Sequence, residues 1–276
     1  MRDLQGKLAV VTGAAHGIGA AVAACLGAQG MRLCLVDLRE DALESTAKEL
    51  AAADLEVHAF DVSDRQAWRK LAAHLEAEHG GVDLLVNNAG LTVHGAFADQ
   101  SFEDLDRIVD VNVKGVLYGC RVFLPQLRRR NEAHIVNVSS LAGRVAFPYQ
   151  TTYCATKYAV RGLGAALRME VAGDGVGVTT VMPGAVATEL LARATSYDDE
   201  ASGVLSGLML KHGVSPTRVA ARVLRAIRRN EAEVLIGWDA RMLTAVASVS
   251  RRLVYRGLAS AFRKRRRSIA PERLAP

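Results

Sequence analysis

The sequence predicts an α/β fold, a doubly wound sheet of seven parallel strands covered by helices on both faces. Three observations predict it. Short apolar runs alternate with stretches of helical period from the first residues onward, the mark of repeated βαβ units. The first run ends in closely spaced glycines and opens into an alanine-rich stretch, which suits a tight turn from strand to helix. The 276 residues are 50% hydrophobic and 23% charged, ordinary for a globular chain and within what one core can serve. Residues 1–240 are expected to form a single domain, and 241–276 a helical extension.

Residues 7–12 (KLAVVT) read as the first strand and 17–29 as the first helix, rich in alanine, the best intrinsic helix former. The run 32–37 (RLCLVD) is the second strand, followed by a helix over 41–52 and a third strand over 56–61. A helix over 64–79 leads to a strand at 83–87 (DLLVN). Two helices are expected at 102–111 and 113–130, then a strand at 134–139 (HIVNVS), a helix at 153–172 and a sixth strand at 176–182 (VGVTTVM). Pro216 opens a helix over 216–229, where its missing N–H costs nothing, and 233–236 is a short seventh strand. Residues 187–213 show neither period. Connections this long are commonly functional covers, so a lid is expected over about 188–213. Ligands of such a sheet bind beyond the carboxyl ends of its strands.

A net charge of +6 suggests nucleic acid until it is located. Residues 241–276 hold ten Lys and Arg against one acid, Glu272, whereas the other 240 residues hold 25 basic and 28 acidic side chains. The body is mildly acidic and carries no nucleic-acid-reading motif, so no nucleic-acid partner is expected. Cys25, Cys34, Cys120 and Cys154 show neither metal-ligand nor redox spacing. That fits free thiols in a reducing compartment, with no metal site. No apolar run approaches the roughly 20 residues of a membrane span, and residues 1–7 lack the apolar stretch of a secretion signal. A soluble, cytoplasmic protein is the expectation.

The first strand ends in Thr12-Gly13-Ala14-Ala15-His16-Gly17-Ile18-Gly19. Glycines at this spacing let the backbone turn tightly and approach a pyrophosphate, whose charge is met by free amides at a helix N-terminus. Asp37 closes the second strand. A carboxylate there accepts hydrogen bonds from both hydroxyls of an adenosine ribose and repels a 2′-phosphate, so NAD is expected rather than NADP. Arg39 and His16 are placed to offset part of that repulsion. Asp61 and Val62, ending the third strand, are placed to contact adenine, although an aspartate there also serves as a helix cap.

Four further elements follow: Asn87-Asn88-Ala89-Gly90 after the fourth strand, Asn112 in a helix, Ser139-Ser140 after the fifth strand, and Tyr153-Cys154-Ala155-Thr156-Lys157. Together with the glycine loop they resemble the short-chain dehydrogenase/reductase family, over about residues 7–188. The resemblance implies a Rossmann-type fold and a nicotinamide-dependent enzyme. The family's serine lies thirteen residues before its tyrosine, which selects Ser140 over Ser139; the same matching gives Asn112, Tyr153 and Lys157 the other catalytic places. It implies that Asn88, Ala89 and Gly90 support the sheet and line the cofactor cleft. It also implies that the Pro183-Gly184-Ala185-Val186-Ala187-Thr188 loop meets the nicotinamide carboxamide through Val186 and Thr188.

The residue types suit the chemistry on their own terms. Tyr153 and Lys157, four apart on a helix, project from nearly one face. A free phenol titrates near pH 10, and bringing it to neutrality takes about 4 kcal/mol of differential stabilisation. An adjacent ammonium and an oxidised nicotinamide would supply it. Tyr153 is then the general base for alcohol oxidation and the general acid for ketone reduction. Lys157 also holds the nicotinamide ribose, Ser140 orients the substrate oxygen, and Asn112 holds a water that relays protons from Lys157.

Leu91, Val93, His94, Leu141, Ala142, Val145, Phe147, Tyr149, Gln150, Ala185, Leu190 and Leu191 are expected around the reacting carbon. They are mostly apolar, with Arg144 the nearby cation and more suited to the surface. A hydrophobic secondary alcohol or ketone fits best. An NADPH-linked 3-oxoacyl-thioester reductase and a dinucleotide-sensing protein without catalysis are the alternatives. A homodimer or homotetramer is expected. The helical stretch 240–267 carries Met242, Val246, Val249 and Leu253 on one face, and Arg263 to Arg267 form a basic cluster. Such a tail suits an anionic membrane surface, a cover for the substrate cleft, a partner subunit or a solvated end.

Overall fold

The computed structural model describes residues 1–50, 54–190 and 194–269 of the chain. Strands β1 (Leu8–Thr12), β2 (Arg32–Asp37), β3 (Leu55–Ala59), β4 (Leu84–Asn87), β5 (Ala133–Val138), β6 (Val176–Pro183) and β7 (Glu233–Ile236) form one sheet in the order 3-2-1-4-5-6-7. Every neighbouring pair runs parallel. Parallel strands must be joined by crossovers, and helices supply them. Helices α1 (Gly17–Gly27), α2 (Glu40–Glu49) and α8 (Pro216–Arg229) are among these, as are α3 (Arg65–His79), α5 (Gly115–Leu127) and α6 (Thr151–Glu170).

The core follows from strands that are apolar on both sides. In β1, Ala9 and Val11 join a cluster with α1 and α8 residues such as Leu26 and Val223. Leu8 and Val10 face the other way, toward Trp68 of α3, Phe123 of α5 and Val160 of α6. Trp68 is fully buried, yet its indole donates to the Val62 carbonyl at 2.8 Å, so no polar group is stranded there.

Most boundaries fall within two residues of the expected ones, and the departures have physical reasons. Asp64 is the cap of α3 rather than its first residue; its carboxylate accepts from the Gln66 and Ala67 amides. The expected helix pair over 102–130 is one continuous run, α4 (Phe102–Val109) joined to α5 through a π turn at Asp110–Lys114. No breaker residue marks it. The segment 187–213 contains a helix, α7 (Asp199–His212), and a two-residue strand Thr195–Ser196 paired with Val93–His94. The tail is not one helix. Ser250, extended at φ −154°, separates α9 (Trp238–Val249) from α10 (Arg251–Ile269). The apolar face expected from sequence points outward, with Val249 88% and Leu253 64% exposed, while Ala240, Thr244 and Val254 are buried against the body. No helix among the described residues is long and apolar enough to cross a membrane.

Candidate active site

The order of strands reverses between β1 and β4, and a cleft of about 920 Å³ opens at the carboxyl edge there. Gly13, His16, Gly17 and Ile18 line one side. Gly13 and Gly17 have φ of 63° and 57°, a left-handed backbone that glycine adopts without strain. Gly19 lies beneath the loop rather than in the cleft: a Cβ on it would stand 2.0 Å from the Gly13 carbonyl oxygen. The Asn88 side chain ties the turn to β4, donating to the Thr12 and Gly13 carbonyls at 2.9 and 3.1 Å. Thr12 Oγ1 accepts from the Asn88 and Ala89 amides at 2.9 and 3.0 Å. Sequence reasoning had passed over this threonine, because a single Thr at a strand end carries no signal.

The far end of the cleft is polar and fixed. Asp37 Oδ2 accepts from the Ala15 amide at 3.0 Å and Oδ1 from the Leu38 amide at 2.8 Å. Oδ1 also accepts from the Arg39 amide at 3.4 Å; a carboxylate has about four acceptor sites, so one remains for a ligand. The Arg39 guanidinium donates to His16 Nε2. Asp61 and Val62 line this end beside Phe60; Asp61 also shapes its own turn, accepting from the Ser63 amide at 2.8 Å.

At the inner end, Tyr153 and Lys157 on α6 are both buried and both line the cleft. Lys157 Nζ lies 5.6 Å from the Tyr153 ring centroid and donates to the Val138 carbonyl at 3.1 Å. The two serines part company: Ser139 Oγ donates to the Lys157 carbonyl at 2.8 Å, whereas Ser140 Oγ accepts from the Ala142 amide at 3.1 Å and lines the cleft with Tyr153. Burial raises the Tyr153 phenol to about 12, with Ser140 pulling it the other way, and burial lowers the Lys157 ammonium to about 8. Gly90 leaves the room these groups need, since a Cβ there would lie 3.3 Å from Lys157 Nζ and 3.1 Å from Asn112 Oδ1.

Asn112 does not face the cleft. It is completely buried in the π turn, a feature frequent at functional sites. Its Oδ1 accepts from the Leu91 amide at 2.9 Å, and its Nδ2 donates to the Leu91 carbonyl at 2.9 Å and to Thr156 Oγ1 at 3.1 Å. Both side-chain donors are therefore spent on fixing the Leu91 segment to α6.

Pro183, Gly184, Val186 and Thr188 form the roof. Thr188 packs on the glycine loop, its Cγ2 standing 3.1 Å from where a Cβ on Gly17 would be. A second residue missed in sequence, Asp239, holds this roof. Its carboxylate accepts from the Ala185 amide at 2.8 Å, and a Cβ on Gly184 would come within 2.3 Å of both its oxygens.

Of the residues expected around the reacting carbon, Leu91, His94, Leu141, Ala142, Phe147, Gln150, Ala185 and Leu190 line the cleft, and three others do not. Val93 packs with Ile108 and Cys154, and Val145 with Ala240 and Val254. Tyr149, at φ 64°, turns the chain and accepts from the Gly95 amide through its carbonyl. Leu191 lies outside the described residues. Met209 and Leu210 of α7 and Leu243 and Leu258 of the tail complete the wall. Besides Lys157, the cleft is lined by Arg107, whereas Arg144 is bonded to Glu233 at 2.8 Å.

A model of the short chain dehydrogenase family matches residues 7–199. A Mycobacterium tuberculosis protein named as an oxidoreductase, SadH, is 35% identical over 95% of this chain and 99% of its own. The bovine dehydrogenase/reductase SDR family member 7B is 31% identical over 96% of this chain and 84% of its own. The crystal structure of a short chain dehydrogenase/reductase from Burkholderia phymatum in complex with NAD superposes with a TM-score of 0.81. It is 33% identical, with 85% of this chain and 90% of the other covered. With a Rossmann-like sheet, a glycine turn at its switch point and that match across most of the chain, the protein belongs to the short chain dehydrogenase family of oxidoreductases.

Proposed function

We propose that residues 1–240 are the catalytic unit of an NAD-dependent enzyme interconverting a hydrophobic secondary alcohol and its ketone. The observation that carries this is the grouping of Ser140, Tyr153 and Lys157 at one end of a cleft whose other end presents the Asp37 carboxylate. The loop from Gly13 to Gly19 supports a pyrophosphate against the α1 amides. Asp37 keeps an acceptor site for an adenosine ribose, and the Arg39 guanidinium beside it is engaged by His16, which favours NAD over NADP. When bound, the nicotinamide supplies the hydride acceptor or donor.

The chain's own groups do the rest. Ser140 holds the substrate oxygen, and Tyr153 Oη takes the hydroxyl proton in oxidation and returns it in reduction. Lys157 holds the nicotinamide ribose and favours the phenolate through space. Asn112 acts by fixing the wall around Leu91. The apolar wall from Leu91, Phe147, Leu190, Leu243 and Leu258 supports a hydrophobic substrate.

The test is a panel of steroid, terpenoid and aliphatic alcohols followed by reduced-cofactor absorbance with NAD and with NADP. Turnover of apolar secondary alcohols is expected, with NAD preferred by about 10-fold or more, the effect of roughly 1.4 kcal/mol. A preference for NADPH with 3-oxoacyl thioesters would reverse the assignment, and cofactor binding without turnover of any alcohol or ketone would leave a sensor. A homodimer or homotetramer is part of the proposal, checked by light scattering. So is contact of the tail with anionic lipid. Trp238, Met242, Val246, Val249 and Leu253 are exposed on it, and ten basic residues attract the surface at about 1 kcal/mol each when close. Co-sedimentation with phosphatidylglycerol vesicles but not with neutral ones is expected, and equal behaviour with both would exclude the contact.

A further inference from the structure

At the outer edge of the sheet, far from the catalytic groups, three histidines surround one carboxylate. Glu56 and His58 are two apart on β3 and so project from one face of the strand. His74 reaches the same point from α3. Glu56 Oε2 lies 3.0 Å from His58 Nε2 and 2.9 Å from His74 Nε2, and the three donor atoms fall within 4.8 Å of one another. His79, also on α3, meets the other oxygen, Oε1, through Nε2.

The tautomer of His79 can be read off its second contact. Arg32 NH1 lies 3.1 Å from His79 Nδ1, and a guanidinium can only donate. Nδ1 is therefore the acceptor, and Nε2 carries the hydrogen given to Glu56. His79 orients the carboxylate and is not free to bind through Nε2. His58 and His74 have no such constraint, and each has a nitrogen aimed at the same oxygen.

Two imidazole nitrogens and one carboxylate oxygen, with a histidine behind the carboxylate, are a donor set for zinc-type ions. Around zinc, with bonds of about 2.0–2.1 Å, tetrahedral donors stand roughly 3.3 Å apart. The two separations here are a few tenths of an ångström shorter. His74 is 43% exposed, so a small rotation opens the space and leaves a position for water.

We propose that Glu56, His58 and His74 bind a zinc-type divalent cation, with His79 holding the other oxygen of Glu56. The site clips α3 to the edge strand β3. Asp61 of the cofactor cleft is five residues along the chain from Glu56, about 16 Å at strand rise, so the ion's role is structural.

Titration calorimetry of the untagged chain with zinc chloride tests this. One zinc per chain is expected, with His58→Ala and His74→Ala each lowering affinity at least about 10-fold and His79→Gln lowering it about 10-fold without changing stoichiometry. Magnesium chloride should give no binding, because its oxygen-rich octahedral demand is unmet. At 100 times the dissociation constant, zinc should raise the thermal midpoint by about 5 °C, an increment absent in His74→Ala. Since His74 is partly exposed, that variant should keep the metal-free midpoint. Absence of stoichiometric zinc binding, or binding that His58→Ala and His74→Ala leave intact, would overturn the proposal.

Discussion

Lys157 carries the sharpest residue-scale consequence. Its ammonium is fully buried, and burial lowers it from the usual 10.5 to about 8. Between those values the folded chain binds fewer protons than the unfolded one, so stability rises with pH across that window. Below pH 8 the full cost of the buried charge is present, about 3 kcal/mol from the shift. Lys157→Met removes the titration. From pH 7 to pH 9.5 the wild type should gain about 2 kcal/mol relative to this variant in urea unfolding; parallel curves would show that the ammonium is solvated. Tyr153, raised to about 12, does not disturb the comparison, since its contribution is lost only above pH 10. Asp37→Ala should lower selectivity for NAD over NADP by about 10-fold, roughly 1.4 kcal/mol in kcat/KM, whereas unchanged selectivity would remove Asp37 from the ribose site.

The elements matter because each brings a loop to the cleft. Gly19 opens the second turn's worth of space beneath the phosphate loop, and its virtual Cβ meets backbone that cannot swing aside. Gly19→Ala should cost about 1–3 kcal/mol, the range for overpacking, and weaken NAD binding measured by fluorescence titration; unaltered stability and binding would contradict this packing. Asp239 at the start of α9 holds the roof loop after β6. Asp239→Ala should raise KM for NAD more than it lowers stability, because an amide near the cleft loses its acceptor. Equal KM values would show the roof to be held without it.

The alternation of β1, β2 and β6 with their helices was plain in sequence, since apolar runs and caps are local signals. The glycine spacing and the Tyr153–Lys157 pair are local too. The π turn at Asp110–Lys114, the lock of Asn112 on Leu91 and the clamp of Asp239 on Ala185 were not legible. Each depends on contacts between residues 21 to 54 positions apart. The break at Ser250 and the outward face of Val249 depend on which side of the tail the body covers, and periodicity alone leaves that open.

At the scale of the whole molecule, one sheet holds a cleft at its switch point, and Leu243 and Leu258 of the tail line it. In the proposed function, cofactor chemistry rests on the strand ends, while substrate contacts come from the loops after β4 and β5 together with α7, α9 and α10. Leu258→Asp should change the ranking of alcohol substrates while leaving NAD affinity unchanged; an unaltered ranking would mean that the tail does not touch substrate. The central claim, that the Tyr153 phenol moves the substrate's proton, is tested most directly by the turnover of Tyr153→Phe with an apolar secondary alcohol and NAD. A loss of about 100-fold to 10,000-fold in kcat, the range for removing a general base, with NAD affinity kept, is the predicted result. Near-normal turnover in that variant would contradict it.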